Sequence, residues 1–434
     1  MKIWTRSFFA VLLLVGVGSW LGGCSKKDGN TIHLSSWGDP QENEILQELI
    51  TQFQQVHPEI HVVLDRVPFG SYAEKLMTQY AGGVAPDVIF VSSENLADFY
   101  PSGMLEPLTS YLKADPTVDL KELYPTLVNW YTIKGDVAAI PRDIAPVCVI
   151  YYNKKLFDDA KLPYPKDDWT ADEFLAVAQK LTQRDAKGHV TVWGYADDYP
   201  IPEQWMYAFG GRYVDDSHNP TKYTLDQPGF IKGVQFRSDL MNKYKVMPSP
   251  ASQSQQGLAG AADLFANGSA AMLLSGIWKV PMFRQSKELK WDVVQAPHVP
   301  GVSRAVVGGS SGYGIISKSQ HKDAAWKLIA FLSSPEGQSQ FAATGLIQPA
   351  RKKVAESSAF LDGKDPQNKK FLLSAVDYAV DDPMSTNWRE VKQGIIVPEL
   401  DKVWNGTETA QQAVDKLMVV LQKHKLVFED KRTK

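Results

Sequence analysis

The sequence predicts an α/β fold built on parallel sheet, and three observations predict it. Strand-like and helix-like segments alternate strictly from residue 31 to residue 91. The chain of 434 residues holds two cysteines, so disulfides cannot carry its stability. Its length is instead enough for a large apolar core spread over two or three domains of ordinary size.

Taken in order, Thr31-Ile-His-Leu-Ser35 reads as a first strand, closed by the turn cluster Ser36-Trp-Gly-Asp-Pro40. Glu42 to Val56 places Ile45, Leu46, Leu49, Ile50 and Phe53 at helical spacing, and His57-Pro58 ends that helix. Ile60 to Val67 reads as a second strand and Tyr72 to Ala81 as a second helix. After the Gly82-Gly83 break, Pro86 to Val91 reads as a third strand. That order calls for right-handed βαβ units. Val137–Pro141 and Val147–Tyr152 read as short buried strands. Thr170 with Glu173 three residues later is a capping box, opening a helix to Thr182. Helices are expected over Phe230–Tyr244, up to Phe265, over His321–Leu332 and over Asn405–His424. Strands are expected over Ala270–Leu274 and Ser310–Ser317. Cys148 lies in the apolar run Pro146–Tyr152 and reads as a buried structural thiol.

The N-terminus has Lys2 and Arg6 ahead of an uncharged apolar run, Phe8 to Leu21, which is short for a membrane span. Small residues and a polar stretch follow, as in a secretory signal. Leu21-Gly22-Gly23-Cys24 resembles a bacterial lipobox, which implies cleavage after residue 23 and acylation of Cys24. Loss of residues 1–23 removes two basic side chains and moves the formal charge from −3 to −5. Charges are interspersed and no basic face stands out, so no nucleic-acid partner is expected.

Enzyme motifs fare poorly. Gly308-Gly-Ser-Ser-Gly312 matches G-x-S-x-G, but a strand-like run follows it where a nucleophile elbow needs a helix. The eight histidines are scattered, without metal-ligand spacing, and no Walker A loop occurs. Opposed carboxylates of a glycoside hydrolase remain open as a rival reading.

Several landmarks come in a fixed order. They are Pro86-Asp-Val88; Ile140-Pro-Arg-Asp143 before Tyr151-Tyr-Asn-Lys-Lys-Leu-Phe157; Trp169-Thr-Ala-Asp-Glu-Phe174; and Phe265-Ala-Asn-Gly-Ser-Ala-Ala-Met272 before Gly276-Ile-Trp278. Gly308-Gly309, Lys322-Asp-Ala-Ala-Trp-Lys327, Ser334-Pro-Glu-Gly-Gln338 and Pro349-Ala-Arg351 complete the set. From about residue 31 to about 425 the chain resembles the family 1 extracellular solute-binding proteins of ABC transporters, which include maltose- and glycerol-phosphate-binding proteins. The resemblance implies a two-lobed periplasmic-binding-protein-like fold (type II), with both lobes discontinuous. The first lobe would be 31–140 plus 307–349, and the second 146–300 plus 350–430. Crossings fall near 141–145, 300–306 and 349–351, where Pro or Gly is present each time. It further implies a monomer that binds a sugar between the lobes and delivers it to permease subunits, without a cofactor or metal.

A sugar needs aromatic faces for its C–H surfaces and strong acceptors and donors for its hydroxyls. Trp37 and Asp39 follow the first strand, where open α/β sheets bind ligands, and Ser92, Ser93 and Glu94 follow the third. Glu42 opens a helix and suits its dipole. Arg142 and Asp143 sit at the first crossing, and Arg351 at the last. Trp278 follows Gly276. Gly309, Ser310, Ser311 and Tyr313 ride on a glycine-rich loop, and Trp205 and Trp388 occupy presumed loops of the second lobe. Those residues form the candidate ligand set. Rival ligands are a glycerol phosphate, which would want more arginine and lysine, and a polyamine, which would want more carboxylates than these.

Overall fold

The computed structural model describes residues 30–38, 40–197, 203–250 and 260–430. The leader, Cys24 and Asp39 lie outside the described residues.

In chain order the strands of the two main sheets are β1 (Thr31–Ser36), β2 (His61–Arg66), β3 (Val88–Ser92), β4 (Ile140–Pro141), β5 (Val149–Asn153), β6 (Ala196–Asp197), β7 (Met272–Ser275), β8 (Trp291–Gln295) and β9 (Ser311–Ile315). The helices that matter below are α1 (Pro40–Val56), α2 (Phe69–Ala81), α3 (Ser93–Phe99), α4 (Ala171–Leu181), α5 (Glu203–Ala208), α6 (Trp388–Val391), α7 (Val397–Trp404) and α8 (Ala410–Leu421).

The first sheet runs β2-β1-β3-β9-β4. Its early part is parallel, with Thr31 opposite His61 and Leu34 opposite Val88. β9 then returns antiparallel to β3, with Ser92 opposite Ser311, and β4 closes the edge. Every residue of β3 is buried, as its continuous apolar run requires of a strand covered on both faces. α1 turns Leu46, Leu49, Ile50 and Phe53 fully inward, the stripe that its spacing announces. The second sheet runs β6-β7-β5-β8, with β5 antiparallel to both neighbours. Thr170 and Glu173 form both halves of the capping box at the start of α4.

Each sheet has its own core. One collects Ile32 to Ile144 and Tyr313 to Ala355, with Val376 and Met384. The other collects Cys148 to Val306 and Phe360 to Leu421, with Ala342 and Val354. Burial pushes the Cys148 thiol well up, which leaves it inert. The chain passes between the two bodies through paired segments. Asp143–Ile144 runs antiparallel to Gln348–Pro349, and Val306–Val307 runs parallel to Ala379–Val380. The seam is tight: the Gly308 N–H donates to the Val380 carbonyl at 2.7 Å, and a Cβ on Gly308 would lie 2.4 Å from the Trp130 ring.

One element departs from the expectation. Asn405–His424 reads as a single helix, but α7 ends at Trp404 and α8 begins only at Ala410. Gly406 adopts φ 70°, which stops the first helix, and Thr409 caps the second through a capping box with Gln412.

Candidate functional site

The C-terminal end of β3 and the start of α3 face the second body. Between the two lies a cleft of about 750 Å³, a size that suits a small ligand. Phe69, Met77, Glu94 and Asp98 line it from the first body, and Thr386, Arg389 and Glu390 from the second. Arg389 Nε stands 3.0 Å from Asp98 Oδ2 across its mouth.

Deeper in, carboxylates gather around a single lysine. Lys392 Nζ lies 3.1 Å from both Glu203 Oε1 and Asp382 Oδ1. The Trp388 indole N–H donates to the same Asp382 oxygen at 3.0 Å, and the Tyr213 hydroxyl donates to Glu203 Oε1 at 3.0 Å. Burial works against the Lys392 ammonium, yet Asp382 and Glu203 outweigh it and hold its pKa well above the lysine range. Glu94 approaches this group from α3. Burial, then repulsion from Asp382 and Glu203, pushes its pKa up despite the pull of Lys392. Asp381 is buried beside it and takes a side-chain hydrogen bond from Ser93. Burial and the neighbouring Asp382 push its pKa up to about 7. Glu94, Glu203, Asp381 and Asp382 therefore outnumber the cation that serves them, and Arg389 is committed to Asp98. Lys392 opens a π-helical stretch, Lys392–Ile396, between α6 and α7; such insertions are frequent at functional sites.

Two tryptophans of the candidate set are half-buried, and one of them, Trp37, packs on the cleft residue Phe69. Trp37 meets Phe69, Tyr72 and Phe90 edge-on, with centroids 4.9–5.5 Å apart. Trp278 is carried by the turn after β7, in the second body, yet packs against the first core. Its ring lies over Gly276, where a Cβ would come within 1.8 Å of it.

Other residues singled out from the sequence sit elsewhere. Arg142 and Asp143 are buried and satisfy each other: Arg142 Nη2 donates to Asp143 Oδ2 at 2.7 Å. Arg142 also pairs with Glu42 and donates to Ser311 Oγ at 2.9 Å. Glu42 thus serves an ion pair and not chiefly its helix dipole. Asp143 accepts from the Ser311 N–H at 2.8 Å and from its hydroxyl at 2.7 Å, while the Ser310 hydroxyl donates to the Asp143 carbonyl at 2.6 Å. Gly309 accepts from the Ala145 N–H at 2.6 Å. This glycine-rich loop is spent on fastening the crossing. Arg351 is likewise an anchor, donating to the Ser333 carbonyl at 2.6 Å and pairing with Glu122. Trp205, 1% exposed, is wedged between Phe174 and Phe236 in the second core, and Tyr313 is fully buried against Phe90. Both are hydrophobic filling; α5 and β9 turn them inward. Trp388 is also buried, at a helix start and not in a loop, and reaches the cleft only through Asp382. Of the sequence candidates, Glu94 lines the cleft, Ser93 bonds Asp381 beside it, and Trp37 packs on the lining residue Phe69.

Glu203, Asp381, Asp382, Arg389 and Lys392 escape the sequence reading. Asp381-Asp382-Pro383 is a turn signal, but nothing in the sequence indicates that it faces Glu94, almost three hundred residues away.

Comparison with known proteins agrees with this architecture. The family model described as bacterial extracellular solute-binding protein matches residues 37–339. A galactooligosaccharide-binding protein of Bacillus subtilis is 22% identical over 418 residues, 93% of this chain and 91% of its own length. An ABC substrate-binding protein from Listeria monocytogenes, solved in complex with cycloalternan, superposes with a TM-score of 0.81 at 29% identity, covering 91% of this chain and 98% of that one. Maltose-bound MalE3 of T. maritima gives 0.78 at 26%, covering 91% and 99%. Fold, cleft and family model agree: this chain belongs to the bacterial extracellular solute-binding proteins and has their two-lobed α/β fold.

Proposed function

We propose that this protein is the extracytoplasmic receptor of an ABC importer, capturing a neutral mono- or oligosaccharide between its lobes and presenting it to the permease. The observation that carries the reading is the composition of the cleft. Its wall carries the carboxylates Glu94, Asp98 and Glu390, which accept hydroxyl protons strongly, and the aromatic ring of Phe69, backed by the half-buried Trp37, which suits the C–H face of a sugar. Its lysine is already committed to Asp382 and Glu203, and Arg389 to Asp98. A phosphate would therefore meet surplus negative charge, which disfavours glycerol phosphates. The sugar ligands named for the Bacillus, Listeria and Thermotoga relatives point the same way. Binding without turnover is part of the proposal, as are a lipid anchor on Cys24, a monomeric state and closure about crossings 141–145, 300–306 and 349–351.

The same surplus of carboxylates favours a second reading, a solute bearing a positive group. One experiment separates the two. The purified protein is melted against mono- and oligosaccharides, glycerol phosphates and polyamines. A ligand at 100 times its dissociation constant adds about 2.7 kcal/mol. A raised melting temperature with one sugar class, and the sugar recovered intact, supports the receptor. A shift with polyamines alone selects the second reading. A shift with phosphates alone, or hydrolysis of the sugar, overturns both.

A further inference from the structure

Residues 425–430 leave the second lobe and end against the first. Leu426 packs on the second core, and Phe428, two residues on, packs on the first. The second-lobe attachment is a set of hydrogen bonds to the segment before α6. Asn387 Nδ2 donates to the Lys425 carbonyl at 2.9 Å, and the Thr386 N–H to the Val427 carbonyl at 2.8 Å. The Val427 N–H donates back to Ser385 Oγ at 3.0 Å. The first-lobe attachment is a hairpin, Thr132–Ile133 with Asp136–Val137. Its tip residues, Lys134 and Gly135, have φ of 52° and 87°, the tight hairpin turn that presents Lys134 outward. The Lys134 ammonium lies 5.1 Å from the Phe428 ring centroid and 3.4 Å from Asp430 Oδ2, and the Asp430 side chain is 3% exposed. The hairpin is itself fixed in the first lobe, since Tyr100 and Thr109 hydroxyls donate to the Asp136 carboxylate, each at 3.2 Å.

We propose that this segment is a strap that fastens the two lobes together beside the ligand cleft and favours their closed arrangement. Its anchor, Ser385–Asn387, lies between Asp382 and Trp388, and Thr386 lines the cleft. Rotation of one lobe away from the other must strip Phe428 and Asp430 from the hairpin or pull residues 425–427 off their anchor. The first break uncovers Phe428 and separates a buried carboxylate from its cation; the second uncovers Leu426 and breaks the hydrogen bonds to Ser385, Thr386 and Asn387; both oppose opening. The strap thus adds a non-covalent link to the covalent crossings and couples lobe opening to residues 425–430.

The inference concerns lobe motion and does not depend on which solute binds, so its test needs no ligand. Small-angle X-ray scattering and amide exchange are measured on the ligand-free protein, on Phe428→Ala/Asp430→Asn and on Lys134→Ala. The double variant is expected to show a larger radius of gyration, with amide exchange at least about tenfold faster in residues 132–137 and 385–387 together. Lys134→Ala, which leaves the tail intact and alters an exposed residue, is expected to move the same readouts in the same direction by less. If the double variant keeps its circular dichroism but scatters and exchanges like the parent, the strap does not hold the lobes. If the double variant does not fold, Lys134→Ala decides: parent-like scattering and exchange overturn the proposal.

Discussion

Two charged clusters lie at the junction of the lobes, and they differ in how their charges balance. In the cluster around Arg142, one guanidinium is shared by Glu42 and Asp143, with Ser311 also accepting from its Nε. Burial alone would lower the Arg142 pKa, but Glu42 and Asp143 override it and drive it further up. In the cluster around Lys392, Glu203 and Asp382 consume the ammonium, while Glu94 and Asp381 remain in low-dielectric surroundings with raised pKa values. The first cluster is buried, and its cation is committed to Glu42, Asp143 and Ser311. The second has acceptors to spare, so its energy falls when donors arrive. Removing one partner of a buried ion pair costs more than the pair is worth, because the other charge is stranded.

That difference makes a contrasting pair of variants the largest test. Arg142→Met strands Glu42 and Asp143 and is expected to cost about 3–5 kcal/mol of stability in chemical unfolding. Where the variant remains folded, its affinity for ligand should stay within roughly threefold of the parent, well under 1 kcal/mol. Lys392→Met should do the reverse: a smaller stability loss of about 2 kcal/mol, since its side chain keeps some solvent contact, and an affinity loss of at least roughly tenfold. An Arg142 variant that folds normally but fails to bind would reverse the assignment of the two clusters.

The ease of reading these regions from the sequence also differs. The βαβ order and the α4 capping box are legible because they depend on local periodicity and on residues three or four apart, whereas the two-lobed division is implied only by the resemblance to a family. Arg142, Asp143 and the Gly308–Gly312 loop are conspicuous for a structural reason: a tight crossing needs small residues, and a buried arginine needs carboxylates near it. The same features resemble those of ligand residues in a sequence. The acidic cleft is assembled from α3, α5, the turn at Asp381 and the helix at Trp388, separated by up to almost three hundred residues. No periodicity reports such a meeting. Trp205 and Trp388 show the same limit, because a tryptophan in sequence does not say which face of its element it occupies.

The pH dependence sharpens the comparison further, because the acidic cluster holds a carboxylate whose titration burial has moved. Asp381 has a folded-state pKa of about 7 against an ordinary value of 3.8, raised by burial and by Asp382. Between those values the folded protein holds a proton that the unfolded chain has released. Stability attributable to this group is therefore present at pH 4 and is lost as the pH rises towards 7, with no further change above. Asp381→Asn, which stays neutral, should flatten that slope. The variant should match the parent near pH 4 and exceed it by about 4 kcal/mol at pH 8. Urea unfolding at a series of pH values checks this, and equal slopes for both proteins would count against an uncompensated Asp381.

The smallest effect expected separates holding a ligand from holding the residue that holds it. Trp388 is 1% exposed and packs on Tyr213 at 5.1 Å, so the cleft cannot present its ring to a solute. Its contribution is the indole N–H on Asp382, an oxygen that Lys392 also restrains. Trp388→Phe keeps most of the buried aromatic area and removes that single donor. The expected cost is about 1 kcal/mol, the range for one hydrogen bond whose acceptor retains another partner, or roughly fivefold in affinity. Because the loss acts through Asp382, it should vanish in an Asp382→Asn background, where the two changes combine to no more than the Asp382 change alone. Calorimetric affinities for the parent, both single variants and the double variant measure that coupling. Full additivity would place Trp388 in contact with the solute itself, which the packing on Tyr213 forbids unless the lobes rearrange on binding.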